Sequence, residues 1–441
     1  MSEIPDTWIN TNLKTVANLV TGNTPSTKSP EYYGGSVPFV KPGDLDSADP
    51  ITVTEQQLTG LGAQQSRLVR AGSTLVSCIG NLGKVGFAGV PLATNQQINS
   101  AEFHSEIVDD RYGYYLCKTL KPWMERESSA TTIAILNKGK FGEAPFPLAP
   151  LPEQKRIADK LDSVLTRVDA VNTRLARVAP LLKRFRQSVL AAATSGRLTE
   201  DWRGANGLSN PWPLVLLGEV ARDFSYGSAA KSSPAGHVPV LRMGNIQEGA
   251  LDWSDLVFTS DPAEIAKYRL QDGDVLFNRT NSPELVGKTA VFRGKREAIY
   301  AGYLIRVRCS SDLLPDYLNY CLGSPAGKHY CWQVKSDGVS QSNINAKKLA
   351  AFSFGLPRLD EQTEIVRRVE TLFAFADRLE ARLAQAQTAA TRLTPALLAK
   401  AFRGELVPQD PNDEPAVELL RHLQAEREST VASKPKRGRK A

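Results

Sequence analysis

Apolar residues recur at alternating steps of four and three along one stretch: Ile157, Leu161, Val164, Val168, Val171, Leu175, Val178, Leu182, Phe185 and Val189. That spacing is the a/d stripe of a helix covered by a second helix. The stripe returns 208 residues later as Ile365, Val369, Leu372, Ala376, Leu379, Leu383, Ala386, Ala390, Leu393 and Leu397, all apolar again. Charged residues such as Lys160, Asp162, Arg167, Asp169 and Arg174 fill the flanks of the first copy. The pattern predicts two long helices, about 37 residues and roughly 55 Å each, which cover one another as an antiparallel pair.

The ends of the two copies also correspond. LPEQKRIADKLDSVL opens the first at residue 151 and LDEQTEIV the second at residue 359. Pro152 suits a first helical position and Asp360 a cap. Gly196 and Gly404 suit the glycine just past a helix end. The copies share 14 of 48 residues, Glu153/Glu361 and Gln154/Gln362 among them. Pro180 and Pro395 are expected to kink or interrupt their helices.

The blocks before each helix are more weakly related. Trp8 aligns with Trp212, VPFVKPGDL (37–45) with VPVLRMGNI (238–246), and ILNKGKF (135–141) with INAKKLA (344–350). Gly72 and Gly273 each precede an alternating apolar run, a turn into a strand. Residues 110–116 and 312–318 read as equivalent short helices. The organisation expected is therefore α+β: one head over 1–150, a helical region over 151–205, a second head over 206–358 and a helical region over 359–407. Residues 408–441 form a tail, basic and disordered at its end. The two similar heads are separated by two long antiparallel helices, an intramolecular coiled coil with pseudo-two-fold symmetry.

Charge changes this picture little. The net charge is +7, but five cations (Lys434, Lys436, Arg437, Arg439 and Lys440) sit in the tail, and without them the balance is +2. Five scattered cysteines without a CxxC pair fit a reducing cytoplasm. Four scattered histidines offer no metal motif. The start, MSEIPDTWINTN, has neither the basic nor the apolar region of a signal peptide, and no run is long and apolar enough to suggest a membrane partner.

Enzyme motifs fail one by one. Gly287-Lys288-Thr289 lacks the glycine five residues earlier that a phosphate-binding loop needs; Ser282 stands there. Asn210-Pro211-Trp212-Pro213 is not the Asn-Pro-Pro-aromatic loop of adenine methyltransferases. No serine-hydrolase elbow is present.

The polar loops of both heads suit nucleic acid instead. Amides read adenine edges, arginine reads guanine, and lysines and hydroxyls hold phosphates. The candidates in the first head are Lys28, Tyr32, Lys84, Asn95, Gln96, Gln97, Asn137, Lys138 and Lys140. Those in the second are Tyr226, Lys231, Arg242, Asn245, Asn278, Arg279, Asn281, Lys288, Gln341, Asn343, Asn345, Lys347 and Lys348.

The repeated helix start, the ending LLKRFRQSVLAAATSGRL with its echo LTPALLAKAFRGEL, and FNRTNSPELVGKTAVF in the second head resemble the specificity subunits of type I restriction–modification systems. The resemblance implies heads that each read one half of a bipartite, asymmetric site in double-stranded DNA. It implies helices that set the gap between half-sites and dock two methyltransferase subunits and, through them, motor-nuclease subunits. S-adenosylmethionine, ATP and magnesium would be used by those partners; this chain would hold no cofactor and no catalytic residue. Asp360 in place of proline and the basic tail depart from the pattern. Two other readings stay open at this point: a helical scaffold that does not recognise DNA sequence, and a stand-alone DNA-modifying enzyme.

Overall fold

The computed structural model describes residues 4–47, 49–129, 133–208, 210–339 and 341–432. The chain divides into two compact units, Met1–Arg174 with Ala386–Ala441, and Leu175–Gln385. Each unit is a head together with one part of each long helix.

The core of the first head is an antiparallel sheet of Ala17–Thr21 (β1), Thr74–Ser77 (β2), Val85–Phe87 (β3) and Ile98–Phe103 (β4), ordered β1-β4-β2-β3. The second head repeats it with Ala221–Tyr226 (β5), Val275–Asn278 (β6), Thr289–Val291 (β7) and Leu304–Cys309 (β8), ordered β5-β8-β6-β7. Gly72 and Gly273, at φ +86° and +83°, make the turns into β2 and β6. A small second sheet in each head carries one parallel pairing, Phe39 opposite Ala93 and Val240 opposite Ile299. The helix Asp110–Cys117 meets its expected start, capped by the Asp109 carboxylate. Its counterpart is Pro315–Gly323, three residues later than expected. Asp312 stays in the preceding loop, where its carbonyl accepts from the Gln362 side chain.

The first long helix is Leu151–Thr194 and the second Leu359–Ala401. Pro180 and Pro395 lie inside them, and both helices run on past their prolines, so neither is interrupted there. Both prolines are exposed, so water can solvate the carbonyls they leave unpaired. Asp360 stands inside the first turn rather than before it, and its carboxylate accepts from the Glu361 N–H. Gly196 and Gly404 adopt left-handed φ of +83° and +73° just beyond the helix ends.

Within each unit the helices run antiparallel. In the first, Ile157 and Leu161 join a core cluster with Leu398 and Ala401, and Leu165 and Leu397 pack against it. In the second, Val189, Leu190 and Ala193 share a cluster with Ile365 and Val369, with Phe185, Leu372 and Phe373 against it. Arg186 extends the pairing, donating to Asp377 at 2.5 Å and Glu380 at 3.0 Å. Of the expected seam, Val168, Leu182 and Leu383 are also buried, and Val164, Leu175 and Leu379 half-buried. Val171 and Leu393 are exposed, at 44% and 46%, and leave the seam. A straight helix drifts about 20° per heptad from a 3.5-residue repeat. The buried stripe beyond Ala390 has accordingly moved on to Leu398 and Ala401.

The tail is not featureless. Ala416–Ala432 is a helix, with Ala416 and Leu419 in the first unit's core. The Ala416 N–H donates to the Thr7 carbonyl at 2.9 Å. The basic stretch of residues 434–440 lies outside the described residues.

Candidate nucleic-acid interface

Both heads gather polar side chains at the same end of the main sheet. There β1 and β2 end and β4 begins in the first head, and β5 and β6 end and β8 begins in the second. Gly22 and Gly227 turn the chain out of the sheet at that point. Each sits where a Cβ would come within 2.4 Å of backbone carbonyl oxygens, so no other residue fits without displacement.

In the second head the centre of this end is Arg279. Its N–H donates to the Tyr303 carbonyl at 3.0 Å, and its carbonyl accepts from Ile344 at 2.9 Å. The guanidinium lies over the Tyr226 ring, 4.7 Å from the centroid. Nη1 donates to the Gly302 carbonyl and Nη2 to Asn343 Oδ1, both at 3.3 Å. Asn343 is held in turn, its Nδ2 donating to Thr280 Oγ1 at 2.8 Å across the pairing of Thr280–Asn281 (β9) with Ser342–Asn343 (β10). Tyr226 accepts at its hydroxyl from the Ala346 N–H, 3.0 Å away. Tyr226, Tyr303 and Trp332 all present exposed rings, and Lys231, Gln341 and Lys347 are exposed beside their loops. Asn281 is half-buried, with its Oδ1 accepting from the Ser282 N–H.

Other second-head candidates are committed to the fold. Asn245 is buried, accepting from Arg242 N–H and donating to the carbonyls of Asp252 and Asp255. That is structural work, with both amide N–H groups and the oxygen engaged inside the head. Arg242 is drawn to Asp255 at 3.0 Å. Lys288 donates to Gln247, and Lys348 to the Val334 carbonyl and Ser336 Oγ. Asn345 caps the helix Ala346–Ala350. Asn278 is fully buried, and neither of its side-chain polar atoms has a partner among the described residues.

The first head has the same backbone geometry with other side chains. Cys78 occupies the position of Arg279: its N–H donates to Gln97 O and its carbonyl accepts from Leu136 N–H, both at 2.8 Å. Its thiol is buried, which pushes its pKa up to about 11. Around it the surface is built of amides and hydroxyls. Thr24 donates to Gln96 Oε1 and Thr21 to Asn99 Oδ1, both at 2.6 Å. Asn23 bridges to Gln65 O at 2.7 Å and accepts from the Arg67 N–H at 3.0 Å.

Asn95 is buried and spent on Gln97, which it orients through both its Nδ2 and Oδ1. Asn137 caps the helix Lys138–Gly142, and Lys140 pairs with Glu127 at 2.6 Å. Lys84 is 3.8 Å from Asp46. Lys28 and Lys138 are exposed and Tyr32 half-buried. Reasoning from sequence missed Asn23, Thr24 and Arg67 in this head and Tyr303 and Trp332 in the second. The first two stand in the same loop as the candidates Lys28 and Tyr32. Nothing local singles out Arg67, which meets Asn23 only through the fold.

Two features are duplicated: a glutamine that fastens each head to a long helix, and a tyrosine–tryptophan pair inside each head. Gln154 accepts from Asp109 N–H at 2.9 Å and donates to the carbonyls of Ile107 and Ala149. Gln362 accepts from Leu314 N–H at 2.8 Å and donates to the carbonyls of Asp312 and Pro357. Tyr112 packs edge-on to Trp8 and Tyr317 to Trp212, at 6.4 and 6.3 Å between centroids.

Comparison with known proteins agrees with this doubling. The chain is 35% identical over 324 residues to the Type I restriction enzyme EcoKI specificity subunit of Escherichia coli (strain K12), covering 70% of each chain. It is 27% identical over 463 aligned positions to the EcoBI specificity subunit of Escherichia coli, covering 98% of this chain and 95% of that one. Among solved structures, the HsdS subunit from Thermoanaerobacter tengcongensis has the same fold, with a TM-score of 0.59 at 20% identity over 92% of this chain and 98% of that one. A chain solved in work on "complex assembly and conformational transition of the type I R-M system" matches with a TM-score of 0.73 at 21% identity, over 92% and 100%. The family model described as the type I restriction modification DNA specificity domain matches twice, over residues 5–179 and 212–387, and the chain belongs to that family.

Proposed function

We infer that this chain is the sequence-reading subunit of a type I restriction–modification complex, and that each head reads one half of a bipartite, asymmetric site in double-stranded DNA. The observation that carries this reading is the substitution of side chains on a repeated skeleton. Arg279 stands where the first head has Cys78, with the same two backbone hydrogen bonds on either side. Duplicated backbones with unlike side chains at the same end of the sheet are what two different half-sites require. A head that served only as scaffold would have no need of a stacked, half-buried arginine at that point.

The long helices set the gap between half-sites and dock two methyltransferase subunits. Their outer faces support this reading: Leu181 and Phe375 are exposed at 52% and 48% on the two helices of the second unit, where an associating surface would cover them. The chain contributes recognition and no chemistry. Adenine methylation with S-adenosylmethionine, and cleavage driven by ATP and magnesium, belong to the methyltransferase and motor-nuclease partners, in the cytoplasm where the DNA lies.

The test is adenine-methylation mapping of the host genome with and without this protein. A split motif that vanishes with the protein is expected; an unchanged methylation pattern, together with no sequence preference of the purified chain for duplex DNA, would sink the reading.

A further inference from the structure

We propose that Arg279 reads a guanine in the half-site of the second head, that Tyr226 is the residue that positions it, and that the first head makes no equivalent contact. This rests on the function inferred above and names the base.

A guanine presents two acceptors, N7 and O6, side by side in the major groove, and an arginine fork matches them in the plane of the base. Such a fork discriminates only if its plane is fixed before the base arrives. The second head fixes it from three sides. The Tyr226 ring lies under the guanidinium at 4.7 Å. Gly302 O takes one N–H of Nη1, and Asn343 Oδ1 takes one N–H of Nη2. Each terminal nitrogen thereby keeps one N–H with no partner among the described residues.

The supports are themselves fixed. The Tyr226 hydroxyl is anchored by the Ala346 N–H, and Asn343 is tied to Thr280. No carboxylate pairs with Arg279 among the described residues, in contrast to Arg242, Arg293 and Arg306, which are bound to Asp255, Asp316 and Asp223. An arginine held in plane but not neutralised is suited to an incoming acceptor pair.

The matching position of the first head carries Cys78, which is buried, and Thr21 stands where the second head has Tyr226. Neither the fork nor its platform exists there. Of the amides at that end of the first head, Gln96 is exposed and Asn23 half-buried.

The experiment is selection of duplexes from a randomised double-stranded DNA pool by the full-length chain, repeated with R279A, R279Q, Y226A and Y226F. The wild type is expected to enrich a split motif with a fixed G·C pair in one half. R279A should lose preference at that pair alone and bind the wild-type duplex roughly 10- to 100-fold more weakly. R279Q should shift the pair toward A·T, since a glutamine matches adenine N6 and N7. Y226F should keep the guanine and Y226A should blur it, a difference that a loss of folding would not produce.

Retention of the wild-type motif by both R279A and R279Q, or equal decay of both halves, would overturn the assignment. A wild type that enriches no motif would bring down the function reading itself, and the inference with it.

Discussion

Trp8 Nε1 donates to Glu153 Oε2 at 2.9 Å, and the same bond recurs between Trp212 Nε1 and Glu361 Oε2 at 3.0 Å. Each glutamate is almost wholly buried at the start of a long helix and accepts at its other oxygen from the segment that follows the opposite helix. Gln409 Nε2 reaches Glu153 Oε1 at 2.6 Å in the first unit, and Thr199 Oγ1 reaches Glu361 Oε1 at 2.8 Å in the second. The glutamate therefore ties three pieces of chain together: the foot of a head, the start of one helix and the exit of the other.

Removing that acceptor should be costly. Hydrogen bonds to a buried carboxylate contribute about 1.5–3 kcal/mol each, and E361A would leave the Trp212 and Thr199 donors without it. A loss of about 3 kcal/mol is expected, read as a fall in the urea midpoint, whereas W212F removes one bond and keeps most of the packing, costing about 1–2 kcal/mol. Equal midpoints for E361A and the wild type would show that the tie is ornamental.

The glutamine one residue later makes a separate prediction. Gln154 and Gln362 each make three hydrogen bonds from a fully buried amide. Q362E keeps the shape and the acceptor but sets a carboxylate against the carbonyls of Asp312 and Pro357. It should destabilise the second unit more than Q362A does, because a buried charge facing carbonyl oxygens costs more than a small cavity. Amide hydrogen exchange of the Leu314 N–H is the local readout. Slower exchange in Q362E than in Q362A would contradict this account.

How much of this could be read from the residues alone differs by feature. The helices were legible because a 3.5-residue repeat over many turns has one structural solution. The failure at Leu393 comes from the same source, since a strict heptad ignores the drift of a straight helix. The strands β2 and β6 announced themselves through Gly72 and Gly273. The interface was only partly legible. Asparagine is a base reader and also a helix cap and turn former. Asn137 and Asn345 turned out to be caps, each bonded to an N–H three residues on, and Asn95 and Asn245 turn formers bonded within ten residues; whether such an amide is spent on its own turn is settled only when the loop folds. Arg67 meeting Asn23, and Tyr226 meeting Arg279, are likewise products of tertiary folding.

The first turns of the second long helix make stability depend on acid. Arg367 and then Arg368 hold Glu364 down to about 2, from an ordinary 4.5. Arg368 also bonds Asp201 and pulls its carboxyl below the usual range. A carboxyl whose folded pKa is depressed contributes stability that is complete above its unfolded pKa and is lost as pH falls through the folded one. The contribution should thus be intact at pH 6 and drain away between about pH 4 and pH 2. R368Q should flatten that part of the stability–pH curve. A wild-type curve as flat as the variant's over this range would refute the coupling.

The segment after the second long helix is predicted to be structural as far as its helix extends. Truncation after Val407 removes Gln409 from Glu153, Asp413 from Arg156 at 2.6 Å, and Ala416 and Leu419 from the first unit's core. A loss of several kcal/mol is expected, mostly from apolar burial. Truncation after Ala432 removes none of these contacts and should leave the melting temperature where it was. Thermal melts of the two truncations side by side decide the matter.

The last prediction separates two neighbouring lysines that the sequence does not distinguish. Lys347 is exposed and its side chain makes no ion pair or hydrogen bond among the described residues, whereas Lys348 donates to the Val334 carbonyl at 2.5 Å and Ser336 Oγ at 2.7 Å. An unengaged lysine at a DNA surface neutralises a phosphate, and each phosphate neutralised adds about one to the slope of log affinity against log salt. K347A should lower that slope by about one and weaken all duplexes alike, with no change in preferred sequence. K348A frees the turn that leads into β10 and its Asn343. Its effect should appear first in stability, with little change in slope. A reversed result, slope lost in K348A and unchanged in K347A, would mean that the protein re-forms this corner on DNA and that its free geometry is not the one that binds.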